Sequence, residues 1–189
     1  MTGAVPEVPE RSDPSAPPDP PAMPAEAQRI IDLLRLAPLP DEGGLYRQTH
    51  ADEASTAIYY LLAGGDFSAL HLLDGPEIYH FYAGAPLTLL LLHPDGSVTE
   101  PVLGADISAG QRPQIVVPGG VWQGSSSTGE WTLLGTTMAP PFDWTGFRLG
   151  DRAELAERYP RAAARIAQLT RHKAADDADD ADDDVRAER

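Results

Sequence analysis

Cysteine is absent from all 189 residues, which excludes disulfides, thiolate metal sites and a cysteine nucleophile and leaves the interior to be held by packing alone. Positive charge is scarce as well: 14 lysines and arginines stand against 29 aspartates and glutamates, a formal charge of -15. Such a chain is repelled at long range by nucleic-acid backbones and anionic lipid surfaces, so neither nucleic acid nor membrane is expected as a partner. Apolar runs such as LTLLLL are far shorter than a bilayer requires, and the first residues show neither the basic region nor the apolar stretch of a secretory signal. A cytoplasmic protein is the expectation. The phosphate-cradling pattern G-x-x-x-x-G-K-[ST], the dinucleotide pattern G-x-G-x-x-G and a serine elbow are also missing, and no cofactor is expected on those grounds.

What is present is one domain between two biased ends. Residues 1–24 are rich in Pro, Ala, Ser and Asp and bury too little apolar surface to offset their ordering entropy, so a disordered leader is expected. Residues 171–189 contain DDADDADDD, whose seven aspartates repel one another, and read as an acidic, disordered tail. Between them, 25–170 form the domain. AEAQRIIDLLRLAP predicts an amphipathic helix with Ile30, Ile31, Leu33 and Leu34 inward and Arg29, Asp32 and Arg35 outward, ending near Pro38. From residue 56 short apolar segments follow one another: TAIYYLL, FSALHLL, EIYHFY, LTLLLL, SVTEPVL, QIVV and WTLLGTTM, separated by Gly- and Pro-containing turns. The gaps are too short for crossover helices, so an all-β antiparallel sandwich or barrel is predicted. Leu155, Tyr159, Ala163, Ile166 and Leu169 then suggest one or two closing helices, interrupted at Pro160.

Ionisable groups concentrate against apolar neighbours at FSALHLLDGPEIYHFYAG. Strand alternation places Phe67, Ala69, His71 and Leu73 on one face, and a hairpin through Asp74, Gly75 and Pro76 brings Glu77 near His71. His80 faces away from Glu77 unless a bulge intervenes. A bend at Pro118, Gly119 and Gly120 can present Trp122 and Gln123 on opposite sides. An imidazole, a carboxylate and a carboxamide in an apolar barrel suit proton transfer, with His71 as base, Glu77 as orienter or second acid/base, and Gln123 or Arg47 stabilising an oxygen that gains charge. Arg47, Tyr46, Thr56, Tyr60, His80 and Trp122 make up the expected substrate-binding set, although a packing role suits the tyrosines equally. If a divalent metal were held, His71, Glu77 and Gln123 would hold it, with Gln123 a weak ligand.

In order, DEGGLYRQT at 41–49, STAIYYLL at 55–62, FSALHLLDGPEIYHFYAG at 67–84, VLGADISAGQRPQIVVPGGVWQ at 102–123, TLLGTTMAPPFDWTGFRL at 132–149 and ERYP at 157–160 resemble the cupin superfamily, and within it the DUF985 or Cupin_5 proteins. The resemblance spans about 130 residues and implies a double-stranded β-helix jelly roll, an N-terminal helix and one or two C-terminal helices, a ligand pocket inside the barrel, and a homodimer. Against the metal-binding cupin pattern His71, Glu77 and Gly84 are kept, Ala69 stands where the first histidine is usual, and Gln123 takes the place of the last. Two of the four usual ligand positions remain. The resemblance therefore implies a small-molecule isomerase, epimerase, cyclase or lyase acting by acid/base chemistry on a polar or carboxylated metabolite. The alternatives are a noncatalytic ligand-binding module and a metal-dependent cupin with an atypical ligand set. Family resemblance fixes fold better than function.

Overall fold

Short apolar segments joined by tight turns can satisfy their backbone groups only by pairing with one another, and they do so here as antiparallel ladders. The computed structural model describes residues 22–171, so the expected leader and acidic tail lie outside the described residues except for 22–24 and Arg171. Helix α1 (Ala25–Leu34) is followed by β1 (Ala37–Pro38), β2 (Leu45–Ala51), β3 (Thr56–Ala63), β4 (Phe67–Leu72), β5 (Glu77–Gly84) and β6 (Leu87–Leu92). Then come β7 (Val98–Thr99), β8 (Val102–Leu103), β9 (Gln114–Val117), β10 (Trp122–Ser127), β11 (Trp131–Met138) and β12 (Arg148–Leu149). Helices α2 (Arg152–Arg158) and α3 (Ala163–Gln168) close the domain, separated by a 3-10 turn at Pro160–Ala162. The expected strand SVTEPVL is two short strands, because Glu100 and Pro101 interrupt the ladder between β7 and β8.

The strands form two facing sheets, in the order β1-β2-β3-β11-β5-β9 and β12-β4-β10-β6-β7, with β8 also beside β6. Tyr60, Leu62, Tyr79 and Leu134 from the first sheet meet Leu87, Leu89 and Leu91 from the second in the barrel interior. The opposite side of β6, Leu90 and Leu92, is covered by Leu155, Tyr159, Ile166 and Leu169 of the C-terminal helical region. A strand buried on both faces needs no polar alternation, which accounts for LTLLLL. On the outer face of the first sheet, α1 packs Ala27, Ile30, Ile31 and Leu34 against Leu61, Ala63 and Leu133. Those four positions form an i, i+3, i+4, i+7 stripe. Leu33 lies off it and is 69% exposed, contrary to the inward placement expected from the sequence.

One irregularity sets the site. Gln123 pairs with His71 while Ser125 pairs with Ser68, so three steps along β4 answer two along β10, which is a β-bulge. Ser68 and His71 consequently share the interior side. Phe67, expected beside His71, instead joins the outer cluster beneath the helices, and the Arg171 guanidinium lies 4.3 Å over its ring. Arg171 also donates to Asp66 Oδ1 (2.7 Å) and to the carbonyls of Phe67 (2.8 Å) and Glu42 (3.2 Å), while Asp66 Oδ2 accepts from the Gly44 N–H (2.7 Å). This network fixes the turn before β2. Gly44 is required there, since its φ is +71° and a Cβ would run into the Tyr60 ring.

Candidate functional site

His71 on β4, Glu77 at the start of β5 and Gln123 on β10 converge on the barrel interior. His71 Nδ1 lies 2.8 Å from the carbonyl oxygen of Ala69, within the bulge. A carbonyl can only accept, so Nδ1 carries the proton and Nε2 presents its lone pair. That lone pair accepts from Gln123 Nε2 at 3.0 Å, and the second hydrogen of the same amide goes to Glu77 Oε2 at 2.6 Å. One carboxamide thus joins an imidazole to a carboxylate. Gln123 Oε1, also buried, has no hydrogen-bond partner among the described residues.

Phe147 stacks on the His71 ring, with centroids 5.4 Å apart and planes 23° from parallel. With both ring nitrogens engaged and one face covered, His71 is 1% exposed, whereas Glu77 retains 8%. Burial pushes the Glu77 carboxyl above the ordinary range; His71 pulls it back, Glu42 adds to the rise, and hydrogen bonds from Thr136 and Gln123 offset part of it. Burial likewise raises the Tyr60 and Tyr79 hydroxyls well above the tyrosine range, reinforced chiefly by Glu42 and Glu77 respectively.

A cavity of about 270 Å³ opens in front of this cluster. His71, Glu77 and Thr136 line its polar end, and Glu42 adds a second carboxyl. Leu39, Ile58, Leu73 and Met138 supply apolar wall, while Phe142, Trp144 and Phe147, from the segment between β11 and β12, make an aromatic side. Those three rings contact one another edge to face, with centroids 5.0 to 6.3 Å apart.

The expected site residues divide between the cavity and the rest of the molecule. Tyr46 and Thr56 line the cavity, and Thr56 Oγ1 accepts from the Phe142 N–H at 3.0 Å, tying the aromatic segment to β3. Tyr60 is core: its hydroxyl donates to the Gly43 carbonyl at 2.8 Å and braces the turn that carries Glu42. Gln123 lies behind the lining, bridging His71 and Glu77. Arg47, His80 and Trp122 are not brought to the cavity. Arg47 alternates with the inward Tyr46 and donates to the Leu34 carbonyl at 3.0 Å. His80 is on the outer face of β5, 3.2 Å from Thr137 Oγ1, because no bulge intervenes between it and Glu77. Trp122 alternates with Gln123 and packs on the outer cluster.

Glu42, Gln48, Thr136 and the three aromatics line the cavity without having been expected there. Thr136 was within reach of sequence reasoning, since alternation from Leu134 through Thr136 to Met138 puts it inward. PPFDWTGF carries three aromatics in a turn-rich segment, which was also a signal. Glu42 stands in a turn whose glycines drew the attention.

The divalent-metal alternative meets a donor set that does not fit it. No three His, Cys, Asp or Glu side chains converge among the described residues. The gap between His71 Nε2 and Glu77 Oε2 is spanned by the Gln123 amino group, whose hydrogens would confront a cation.

Comparison with known proteins matches residues 28–150 to the family model Cupin_5, described as Cupin superfamily (DUF985). A crystal structure of a protein from Shewanella oneidensis is 33% identical, with a TM-score of 0.73 over 78% of this chain and 98% of that one. A hypothetical protein from Leishmania major is 29% identical, with a TM-score of 0.70 over 77% and 99%. Oxalate decarboxylase from Bacillus subtilis shares 12% identity and a TM-score of 0.51 over 71% of this chain and 37% of that one, a likeness of fold alone. No protein with a curated description matches. The two facing antiparallel sheets accord with this result, and the chain belongs to the DUF985 (Cupin_5) family of the cupin superfamily.

Proposed function

We propose that this protein is an acid/base enzyme of the isomerase, epimerase, cyclase or lyase type, acting on a small metabolite enclosed in the barrel cavity. The observation that carries the reading is the hydrogen-bonded chain from His71 through Gln123 to Glu77, whose two ends line that cavity. Glu77 is the proton carrier. It is the more accessible of the two titratable groups, and its raised affinity for a proton suits it to take one from a carbon beside a carbonyl and return it elsewhere on the substrate. Such a transfer is internally balanced and needs no oxidant. His71 becomes a positioning residue, because both its nitrogens are committed. With Arg47 turned away, the carboxylated substrate considered from sequence loses its counter-ion.

Incubating the protein with a metabolite extract in D2O tests the class. A metabolite that gains one deuterium with wild type and not with E77Q supports the reading; no labelled or altered metabolite sinks it. That second result would favour a noncatalytic ligand-binding module, a reading supported by the full satisfaction of the His71 ring.

The same proposal includes a homodimer and a cytoplasmic location. Tyr82 and Val116, 48% and 55% exposed on the outer face of the first sheet, support a docking face for a second copy. A monomer mass in solution at micromolar concentration overturns it. Among the described residues no helix is long and apolar enough to cross a membrane.

A further inference from the structure

We infer that the ligand of this cavity is a small organic cation, an amine or ammonium compound of about seven to nine heavy atoms. The inference rests on the cavity being the ligand site and goes beyond it in naming the charge class. Two carboxyls, Glu42 and Glu77, line the same cavity, and among the described residues no lysine or arginine lines it. Burial is the main cause of the raised proton affinity of Glu77; His71 opposes it and Glu42 adds to it, so the two carboxyls sense each other across the space.

Among the described residues, the two arginines nearest these elements are engaged elsewhere. Arg47 is bound to the Leu34 carbonyl, and Arg171 reaches the backbone of Glu42 and the side chain of Asp66, leaving the Glu42 carboxyl with Ser68 Oγ at 2.7 Å. The cavity is also lined by the aromatic rings of Tyr46, Phe142, Trp144 and Phe147. Aromatic faces attract cations through their quadrupoles, and the attraction grows when water is excluded. An anionic ligand would meet carboxyls with nothing to balance it. A neutral ligand would leave them facing each other. A cation answers the carboxyls and the rings at once. The volume of about 270 Å³ corresponds to roughly nine waters at ~30 Å³ each, which sets the size.

Two matched triples test the charge class on the full-length protein by titration calorimetry. The first is choline, 3,3-dimethylbutan-1-ol and 3,3-dimethylbutanoate; the second is benzylamine, benzyl alcohol and benzoate. In at least one triple the cation is expected to bind tenfold or more tighter than its neutral partner. E42Q, whose amide oxygen can keep the Ser68 bond, is expected to reduce that preference to threefold or less. Equal or tighter binding of the neutral or anionic members, or no binding by any member up to about 10 mM, overturns the inference. The deuterium experiment fails separately. A cation preference without labelling leaves this inference standing and removes the catalytic reading, and labelling with no cation preference does the reverse.

Discussion

Gln123 and Glu77 belong to different sheets, and the 2.6 Å bond between them is a polar tie across the barrel interior. Because the same amide also serves His71, its removal leaves two buried groups unpaired. Each such group costs roughly 1–3 kcal/mol. Q123A is therefore expected to lose at least ~2 kcal/mol in urea denaturation. A change below about 0.5 kcal/mol would show that the bridge contributes little.

Glu77 imposes a pH slope of known sign. Its carboxyl holds a proton more tightly in the folded chain than in the unfolded one, so the folded state binds more protons once pH passes the ordinary value of 4.5. Stability then falls as pH rises from there through the elevated folded value, and levels off above it. E77Q is expected to flatten this segment of the stability curve. Parallel curves for the two proteins would contradict the assignment.

Gln123 also explains why the donor set disfavours a metal, and the explanation can be reversed. Q123H replaces the interposed amide with an imidazole beside His71 and Glu77. Calorimetry with Mn²⁺ or Zn²⁺ is expected to show stoichiometric binding to Q123H and none to wild type. Tight binding to wild type would mean that the amide swings aside.

Arg171 holds the turn that carries Glu42 through three carbonyl or carboxylate partners. Burial alone would raise the Asp66 carboxyl, yet Arg171 and the N–H groups of Gly44 and Phe67 hold it below its ordinary value. R171A is expected to cost about 1–2 kcal/mol after allowing for solvent screening of this half-exposed pair. It should also weaken any cation preference that depends on Glu42. Unchanged stability and unchanged preference would remove Arg171 from the site's support.

How much of this was legible beforehand varies with the physics involved. Strand segments and the Pro160 interruption follow from periodicity and turn chemistry, which are local; the hairpin expected between β4 and β5 does not form, because the two strands enter different sheets, and His71 meets Glu77 only through Gln123. The bulge on β4 is not local. It arises where β4 must match β10, and it decides that Ser68 rather than Phe67 faces inward with His71. Arg47 looked available because an extended segment offers two faces and its sequence alone does not say which is covered; α1, whose Leu34 carbonyl it reaches, settles that. Glu42 becomes a site residue through contacts more than twenty residues away, with Ser68 and Arg171, and no window around the turn contains them.

The aromatic segment leaves the first sheet after Met138 and rejoins the second at Arg148, beside the strand that bears His71. Phe142, Trp144 and Phe147 therefore shape the cavity from a connection that contributes little to either ladder. Cavity lining and scaffold are thus separable in this barrel. Exchange of those few side chains can reshape the cavity, while the strands that hold His71 and Glu77 keep their pairing and the fold has nothing to relearn.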